Sequence, residues 1–114
     1  MFEIKRVYEK PAKNDGTRVL IDRLWPRGLK KEEAGIDHWM KEIAPSSNLR
    51  KWFSHKEEHW QEFRSRYLEE LKGKNELLEQ LINLGKNNKV TLLYAATDEM
   101  RNNAQVLLEV LKKK

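Results

Sequence analysis

An apolar run over Val19–Ile21 places the strongest constraint on how this chain folds. The run does not alternate with polar residues, and a strand of this kind is buried on both faces of a sheet. The sequence therefore predicts an internal strand over Arg18–Trp25, which Pro26 and Gly28 bring to an end. A strand buried on both faces favours a layered α/β fold, in which other elements pack against the sheet.

Three further strands are predicted around this one. Phe2–Tyr8 alternates in the manner of a short edge strand, and Val90–Ala96 is a second apolar run. Ile36–Ile43 fits a strand or a helix, and we favour a short strand because Ala44-Pro45 discourages a helix there. The loop Glu9–Gly16 is too short for a crossover helix, so the first two strands are either an antiparallel pair or not neighbours.

The segment between the third and fourth strands is predicted to be helical. Ser46 or Ser47 is the expected N-cap of a short helix. Ser54 and Glu57 then form an S-x-x-E capping box, which predicts a longer helix over His55–Lys72.

Two more helices complete the predicted fold. Asn75 is the expected cap of the first, which stops at Gly85. Thr97 or Asp98 is the expected cap of the second, the last helix of the chain, which has Met100 on its inner face. The order β-β-(β)-α-α-α-β-α predicts one α/β domain over residues 1–114, a mainly parallel sheet of about four strands with helices packed on it. Residues 112–114 are expected to form a disordered basic tail.

The composition excludes several classes of protein. The chain has 114 residues and no cysteine, which rules out disulfides, thiolate metal sites and a cysteine nucleophile. No apolar run reaches the roughly 20 residues that a membrane helix needs. The charged amino terminus lacks the apolar core of a signal peptide, so we expect a cytoplasmic protein without a membrane partner.

Four stretches of the chain together resemble one known family. They read DGTRVLIDRLWPRG, DHWMKEIAPSSNLRKWFSH, WQEFRSRYLEEL and TLLYAATD, the last followed by Asn103-Ala104. Over nearly its whole length the chain is similar to the YeaO-like family of small bacterial and archaeal proteins of unknown function. The resemblance implies a compact α/β domain and supplies no reaction. A distant related group carries a cysteine where this sequence has Tyr94-Ala95-Ala96, so thiol chemistry is not carried over.

Two strand ends form the candidate site. Ligands of open α/β sheets bind beyond the carboxyl ends of the strands, and Asp22–Gly28 and Tyr94–Asp98 follow two such ends. If these strands are neighbours, Arg23, Arg27 and the start of the last helix converge on a crevice suited to phosphate or carboxylate. The plainer alternative is that these charges only pair with one another around the strand end.

The leading hypothesis is a site that binds a small anionic ligand. If the protein is an enzyme, this site turns the ligand over by acid–base or hydrolytic chemistry. Asp22 or Asp98 is the candidate base or orienting group, and Tyr94 and His55 are the candidate proton donors. The candidate ligand-binding residues are Arg23, Trp25, Arg27, Arg50 and Trp52.

Other chemistry has less support in the sequence. Ser46 with His55 as its base is a possible nucleophile pair, but a serine at a helix start is far more often a cap. His55 and His59 lie four residues apart without an evident third ligand, so no metal is expected. No dinucleotide or phosphate-loop signature is present, and no cofactor is expected.

Two other functional classes stay open. The formal charge of +5 fits a nucleic-acid-binding module, but 18 acidic residues are interleaved with the basic ones and no binding motif is present. The third hypothesis is an assembly protein, a homodimer formed through the terminal helix. Met100, Val106 and Val110 widen the apolar face of that helix, although deep packing on the sheet would explain this equally well.

Overall fold

Four parallel strands form the centre of the protein in a computed structural model that describes residues 1–114. Their order across the sheet is β1-β4-β2-β3, so β4 lies between the first two strands and these are not neighbours. The predicted α/β fold with a mainly parallel sheet is confirmed. The strands are β1 (Phe2–Arg6), β2 (Thr17–Leu20), β3 (His38–Trp39) and β4 (Val90–Tyr94).

Five α-helices and three 3-10 turns accompany the sheet. None of the helices combines the length and the apolar character needed to cross a membrane. The helices are α1 (Lys31–Ala34), α2 (Ser47–Phe53), α3 (Trp60–Lys72), α4 (Asn75–Leu84) and α5 (Asn103–Lys112), and the turns are Lys13–Asp15, Lys41–Ile43 and Glu57–His59.

The sheet has a large core on one face and a small core on the other. Val19 and Leu92 are register partners, and both belong to the large core formed with α2, α3, α4 and α5. Leu20 and Leu93 are the next pair and belong to the small core, against which Ile36 packs. The continuous apolar run of β2 is thus explained by burial on both faces.

A buried ionic network supports the small-core face. The carboxylate of Asp15 accepts hydrogen bonds from Lys5 of β1 and Arg18 of β2. Arg18 also donates to the carbonyl oxygens of Ala34 and Gly35, each at 2.9 Å. The network therefore ties two strands to the end of α1.

All four strands are shorter than predicted, and β1 and β4 each lack the last two predicted residues. β2 ends at Leu20 rather than Trp25, because the Asp22 carboxylate accepts the Ala95 N–H at 2.9 Å and takes over from the backbone ladder. The predicted strand over Ile36–Ile43 is reduced to β3, because its last residues wind into a 3-10 turn.

The predicted capping box at Ser54 and Glu57 is wrong. Ser54 is the C-cap of α2, with φ 45° and its hydroxyl donating to the Lys51 carbonyl at 2.6 Å. The following helix, α3, begins only at Trp60. The cap predicted for the other end of α2 is confirmed at Ser46, whose hydroxyl accepts the N–H of Leu49, the third residue of the helix.

The start of the last helix is also later than predicted. Its N-cap is Asn102 rather than Thr97 or Asp98. The Asp98 carboxylate instead accepts the N–H groups of Met100 and Arg101 and closes a turn before the helix.

The apolar face of α5 is used within the chain. Val106 is 1% exposed, Val110 packs against the large core, and Met100 lies outside the helix. Packing on the sheet thus accounts for the width of this face, and the homodimer stays a prediction. Lys112, in the predicted basic tail, is the last residue of the helix. At the start of α4, the N-cap is Lys74 rather than Asn75.

Candidate functional site

A cleft lies beyond the carboxyl ends of β2 and β4, where the chain leaves these neighbouring strands in different directions. After β2 the chain covers the small core, against which Trp25, Leu29 and Ile36 pack. After β4 it enters α5, which packs on the large-core side against β1 and β4. Ligands of open α/β sheets bind at a point of this kind, where the connections diverge.

The cleft has a volume of ≈ 570 Å³, a size typical of small-molecule sites. Its apolar wall includes Trp25, Pro45, Phe53 and Phe63. Its polar lining consists of Tyr8, Asp22, Arg23, Arg27, Arg50, His55, Thr97, Asn102 and Asn103.

Six of the nine candidate site residues line this cleft, although they come from two distant parts of the chain. Four of them follow β2, and the other two lie on α2 and just after it. They are Asp22, Arg23, Trp25, Arg27, Arg50 and His55.

Asp22 joins three elements at the base of the cleft. One carboxylate oxygen accepts the Ala95 N–H at 2.9 Å, just after β4, and the other accepts the Asn103 side-chain amide at 3.1 Å, in α5. Burial raises the pKa of Asp22, while these two hydrogen bonds and the positive charges of His55 and Arg50 act in the opposite direction. The two hydrogen bonds therefore make the Asp22 carboxylate a fixed acceptor at the base of the cleft.

Arg50 has no partner in the protein for its buried Nε–H. It also takes part in no ion pair of the chain. An unpaired buried donor costs about 1–3 kcal/mol, and more when it is charged. The only other buried side-chain nitrogen without a partner is His59 Nδ1, so of the two unpaired side chains Arg50 is the one that lines the cleft.

Arg23 and Arg27 have different surroundings from Arg50. Arg23 donates from Nε to the Pro45 carbonyl at 3.1 Å and from Nη2 to the Ala44 carbonyl at 3.2 Å, which fixes the start of α2 beside β2. Arg27 is exposed, and its carbonyl accepts the Tyr8 hydroxyl at 2.9 Å. Arg23 therefore has a structural task, whereas the guanidinium of Arg27 is free of ion pairs at the cleft.

His55 reaches the cleft through an unusual backbone. Ser54 and His55 have φ values of 45° and 56°, and they are the only residues other than glycine with positive φ. A left-handed conformation costs such a residue about 1–2 kcal/mol, and here it ends α2 at Ser54 and continues through His55. The His55 ring lies 5.6 Å from the ring of Phe53, which belongs to the cleft wall.

The hydroxyl of Ser46 has partners that leave it poorly suited to act as a nucleophile. It donates to Glu70 at 2.6 Å and accepts the Leu49 N–H at 3.2 Å. Its proton is thus held by a carboxylate rather than by His55, and Ser46 is not among the residues that line the cleft.

Tyr94, Asp98 and Trp52 lie outside the cleft lining. Tyr94 is 2% exposed, and burial raises the pKa of its hydroxyl. The Met100 and Arg101 N–H groups lower the pKa of Asp98, which closes the turn before α5.

Trp52 forms a separate stack outside the cleft lining. Its ring lies 4.4 Å from that of His59, and the Arg66 guanidinium lies 4.5 Å from its centre. The indole is thus fully engaged by neighbouring side chains.

Asn102 and Asn103 were not identified from the sequence. Asn102 is 1% exposed and caps α5, and Asn103 donates to the Ile21 carbonyl as well as to Asp22. Two asparagines directly before an apolar helical pattern are a capping signal, but Thr97 and Asp98 offered the same signal earlier in the chain. No group of three or more His, Cys, Asp or Glu side chains is placed to hold a metal ion.

Comparison with known proteins gives the family. The profile of a family described as "Inactive DUF488-N3 subclade" matches residues 1–114. "Uncharacterized protein YeaO" of Escherichia coli is 42% identical over 111 residues, which cover 97% of this chain and 96% of that protein. "Uncharacterized protein Rv3073c" of Mycobacterium tuberculosis is 42% identical over 108 residues, which cover 95% and 91%. No solved structure matches the chain. The chain thus belongs to the YeaO-like DUF488-N3i family, the subclade that is described as inactive.

Proposed function

We propose that this protein binds a small phosphate- or carboxylate-bearing ligand in the cleft and does not turn it over. The observation that carries the proposal is the buried Arg50 Nε–H, which has no partner in the protein. Buried polar groups are nearly always hydrogen-bonded, so an unpaired one needs a reason. The Arg50 guanidinium lines the cleft and forms no ion pair, so an anion there would supply an acceptor for it, and guanidinium groups bind phosphate and carboxylate well.

The charge of the cleft supports an anionic ligand. Its lining contains Arg23, Arg27 and Arg50 and a single acidic residue, Asp22. The first turn of α5 begins at Asn103, beside the cleft, and the amino terminus of a helix favours negative charge. Positive charge from two sources therefore acts on the same space.

Several observations favour binding over catalysis. The Ser46 hydroxyl is occupied by Glu70, and the Tyr94 hydroxyl is buried with a raised pKa. The sequence has no cysteine, and the family description contains the word inactive. An activated nucleophile is therefore missing from the cleft lining, while the groups for anion binding are present.

The proposal is tested by measuring the melting temperature and the binding heat with inorganic phosphate for the wild type and Arg50→Met. Phosphate at 100 times its Kd should stabilise the wild type by about 2.7 kcal/mol through mass action. Methionine keeps the apolar stem but loses the charged donor, so phosphate affinity should fall about 10- to 100-fold. Without phosphate, Arg50→Met should be at least as stable as the wild type, because the unpaired buried donor is removed.

The matched control is Arg66→Met. Arg66 is half exposed, pairs with Glu62 and lies outside the cleft, so the control removes the same charge from the surface. It should keep phosphate affinity within about twofold of the wild type. Equal losses in both variants, or no phosphate binding by the wild type, would overturn the proposal.

A further inference from the structure

Asp22 gives the cleft a fixed acceptor in a lining that also contains cationic groups. Each carboxylate oxygen accepts one hydrogen bond, from Ala95 N–H and from the Asn103 amide. A carboxylate has about four acceptor positions, so Asp22 can accept further hydrogen bonds from a ligand. Its place in the cleft lining puts it where a ligand can be contacted.

Asp22 and Arg50 line the same cleft without forming an ion pair within 4.0 Å. Burial raises the pKa of Asp22, and the charge of Arg50 acts in the opposite direction. The two hydrogen bonds from Ala95 and Asn103 hold Asp22 in place. The cleft thus presents a separate donor and acceptor to the same ligand.

From this arrangement we infer that Asp22 selects anions that also carry a hydrogen-bond donor, such as hydrogen phosphate, phosphate monoanions or hydroxycarboxylates. The inference rests on the proposed anion site and adds its specificity. An anion with acceptors only would place oxygen lone pairs against the Asp22 carboxylate, which is unfavourable in a partly buried site. An anion with an O–H group donates to Asp22 while its other oxygens accept from Arg50.

Phosphate and sulfate distinguish an anion that has a hydrogen-bond donor from one that has only acceptors, because the two ions have nearly the same size and shape. Near neutral pH phosphate keeps at least one proton, whereas sulfate has none. The wild type should bind phosphate at least about tenfold more tightly than sulfate, the factor expected from one net hydrogen bond to a charged group. In Asp22→Asn the fixed negative charge is gone, and this preference should fall to about threefold or less.

The experiment is isothermal titration of both anions into the wild type, Asp22→Asn and Arg50→Met. If the wild type binds phosphate and sulfate equally and Arg50→Met binds neither, the role of Asp22 is overturned while the proposal of an anion site is supported. Absence of binding by either anion would overturn the anion site itself. A preference for phosphate that persists in Asp22→Asn would also overturn this role for Asp22.

Asp22→Asn also weakens the contacts that hold the chain after β2 to β4 and α5. A second comparison therefore uses only the wild type, with glycolate and acetate as probes. These anions differ by one hydroxyl group, so a roughly tenfold preference for glycolate supports the inference. Equal affinity for glycolate and acetate overturns it.

Discussion

Two arginines show how the same residue type serves different purposes in this protein. Arg18 is 4% exposed, and its guanidinium donates to Asp15, Ala34 and Gly35. Arg50 has a buried Nε–H without a partner. A satisfied buried charge is part of the fold, whereas an unsatisfied one beside a cleft points to a ligand.

The Asp15 network provides a prediction at this scale. Asp15→Asn leaves the Lys5 and Arg18 charges without their carboxylate, and removing one partner of a buried ion pair costs about 3–5 kcal/mol. Urea unfolding at neutral pH measures this loss. As a control, Glu62→Gln removes a carboxylate that is more than half exposed and pairs with Arg66, and it should cost under about 1 kcal/mol.

The same variant has a defined pH dependence. Burial would raise the pKa of Asp15, but hydrogen bonds from Ala12, Lys5 and Arg18 together lower it. A carboxyl group with a lowered folded pKa stabilises the protein above its unfolded pKa of about 3.9, and this stability is lost as the pH falls through the folded pKa. The difference between wild type and Asp15→Asn should therefore shrink below about pH 4. A difference that stays constant in acid would contradict the assignment.

At the scale of elements, α5 connects the cleft to the core. Its N-cap Asn102 accepts the Gln105 N–H at 3.0 Å and donates to the Asp98 carbonyl at 2.9 Å. The next residue, Asn103, bonds to Asp22 and Ile21. The start of this helix is thus fixed by contacts with the two residues that follow β2 as well as by its cap.

This arrangement predicts unequal effects of two substitutions. Asn102→Ala removes a buried N-cap and should lower the free energy of unfolding by about 1–2 kcal/mol. Asp98→Ala removes a partly exposed turn and should cost less, under about 1 kcal/mol. Guanidinium chloride unfolding of both variants measures the difference. A larger loss for Asp98→Ala would place the helix start where the sequence alone predicted it.

The boundaries of elements show which information the sequence lacks. Apolar periodicity located β4 and α4 to within two residues and predicted the end of α3 at Lys72, because these elements bury one face or both. The capping signal was misleading at Ser54 and Asp98. Both are residue types that often cap the start of a helix, but Ser54 ends α2 and Asp98 closes a turn. Several residues with capping ability follow one another there, and contacts distant in sequence decide which one is used.

At the scale of the whole molecule, strand order brings the cleft together. The sequence predicted that the stretches after β2 and β4 form one crevice if these strands are neighbours, and they are. It could not predict the strand order, because β1 pairs with β4 and not with β2. That pairing joins the first and the last strand of the chain, which are far apart in sequence. Nor could it distinguish Arg50 from Trp52, which lie two residues apart on a short helix and contact different surroundings.

Two glycines with positive φ test this packing. Gly16 has φ +67°, and a Cβ there would lie 2.2 Å from the Lys89 carbonyl oxygen, just before β4. Gly28 has φ +77° and nothing within 4 Å. Gly16→Ala should therefore cost about 3 kcal/mol or more, and Gly28→Ala only the backbone cost of about 1–2 kcal/mol. Equal thermal destabilisation of the two variants would show that β2 and β4 do not approach each other in this way.

The central claim is that Arg50 holds an anion in the cleft, and the most direct measurement observes its side-chain Nε–H by NMR during a phosphate titration. The account predicts a saturable shift of the Arg50 Nε–H signal together with the backbone N–H of Asn103 at the start of α5, both beside the cleft. Arg66 Nε–H, outside the cleft, should not move. Shifts confined to the surface lysines Lys112–Lys114, with an unchanged Arg50 signal, would contradict the account.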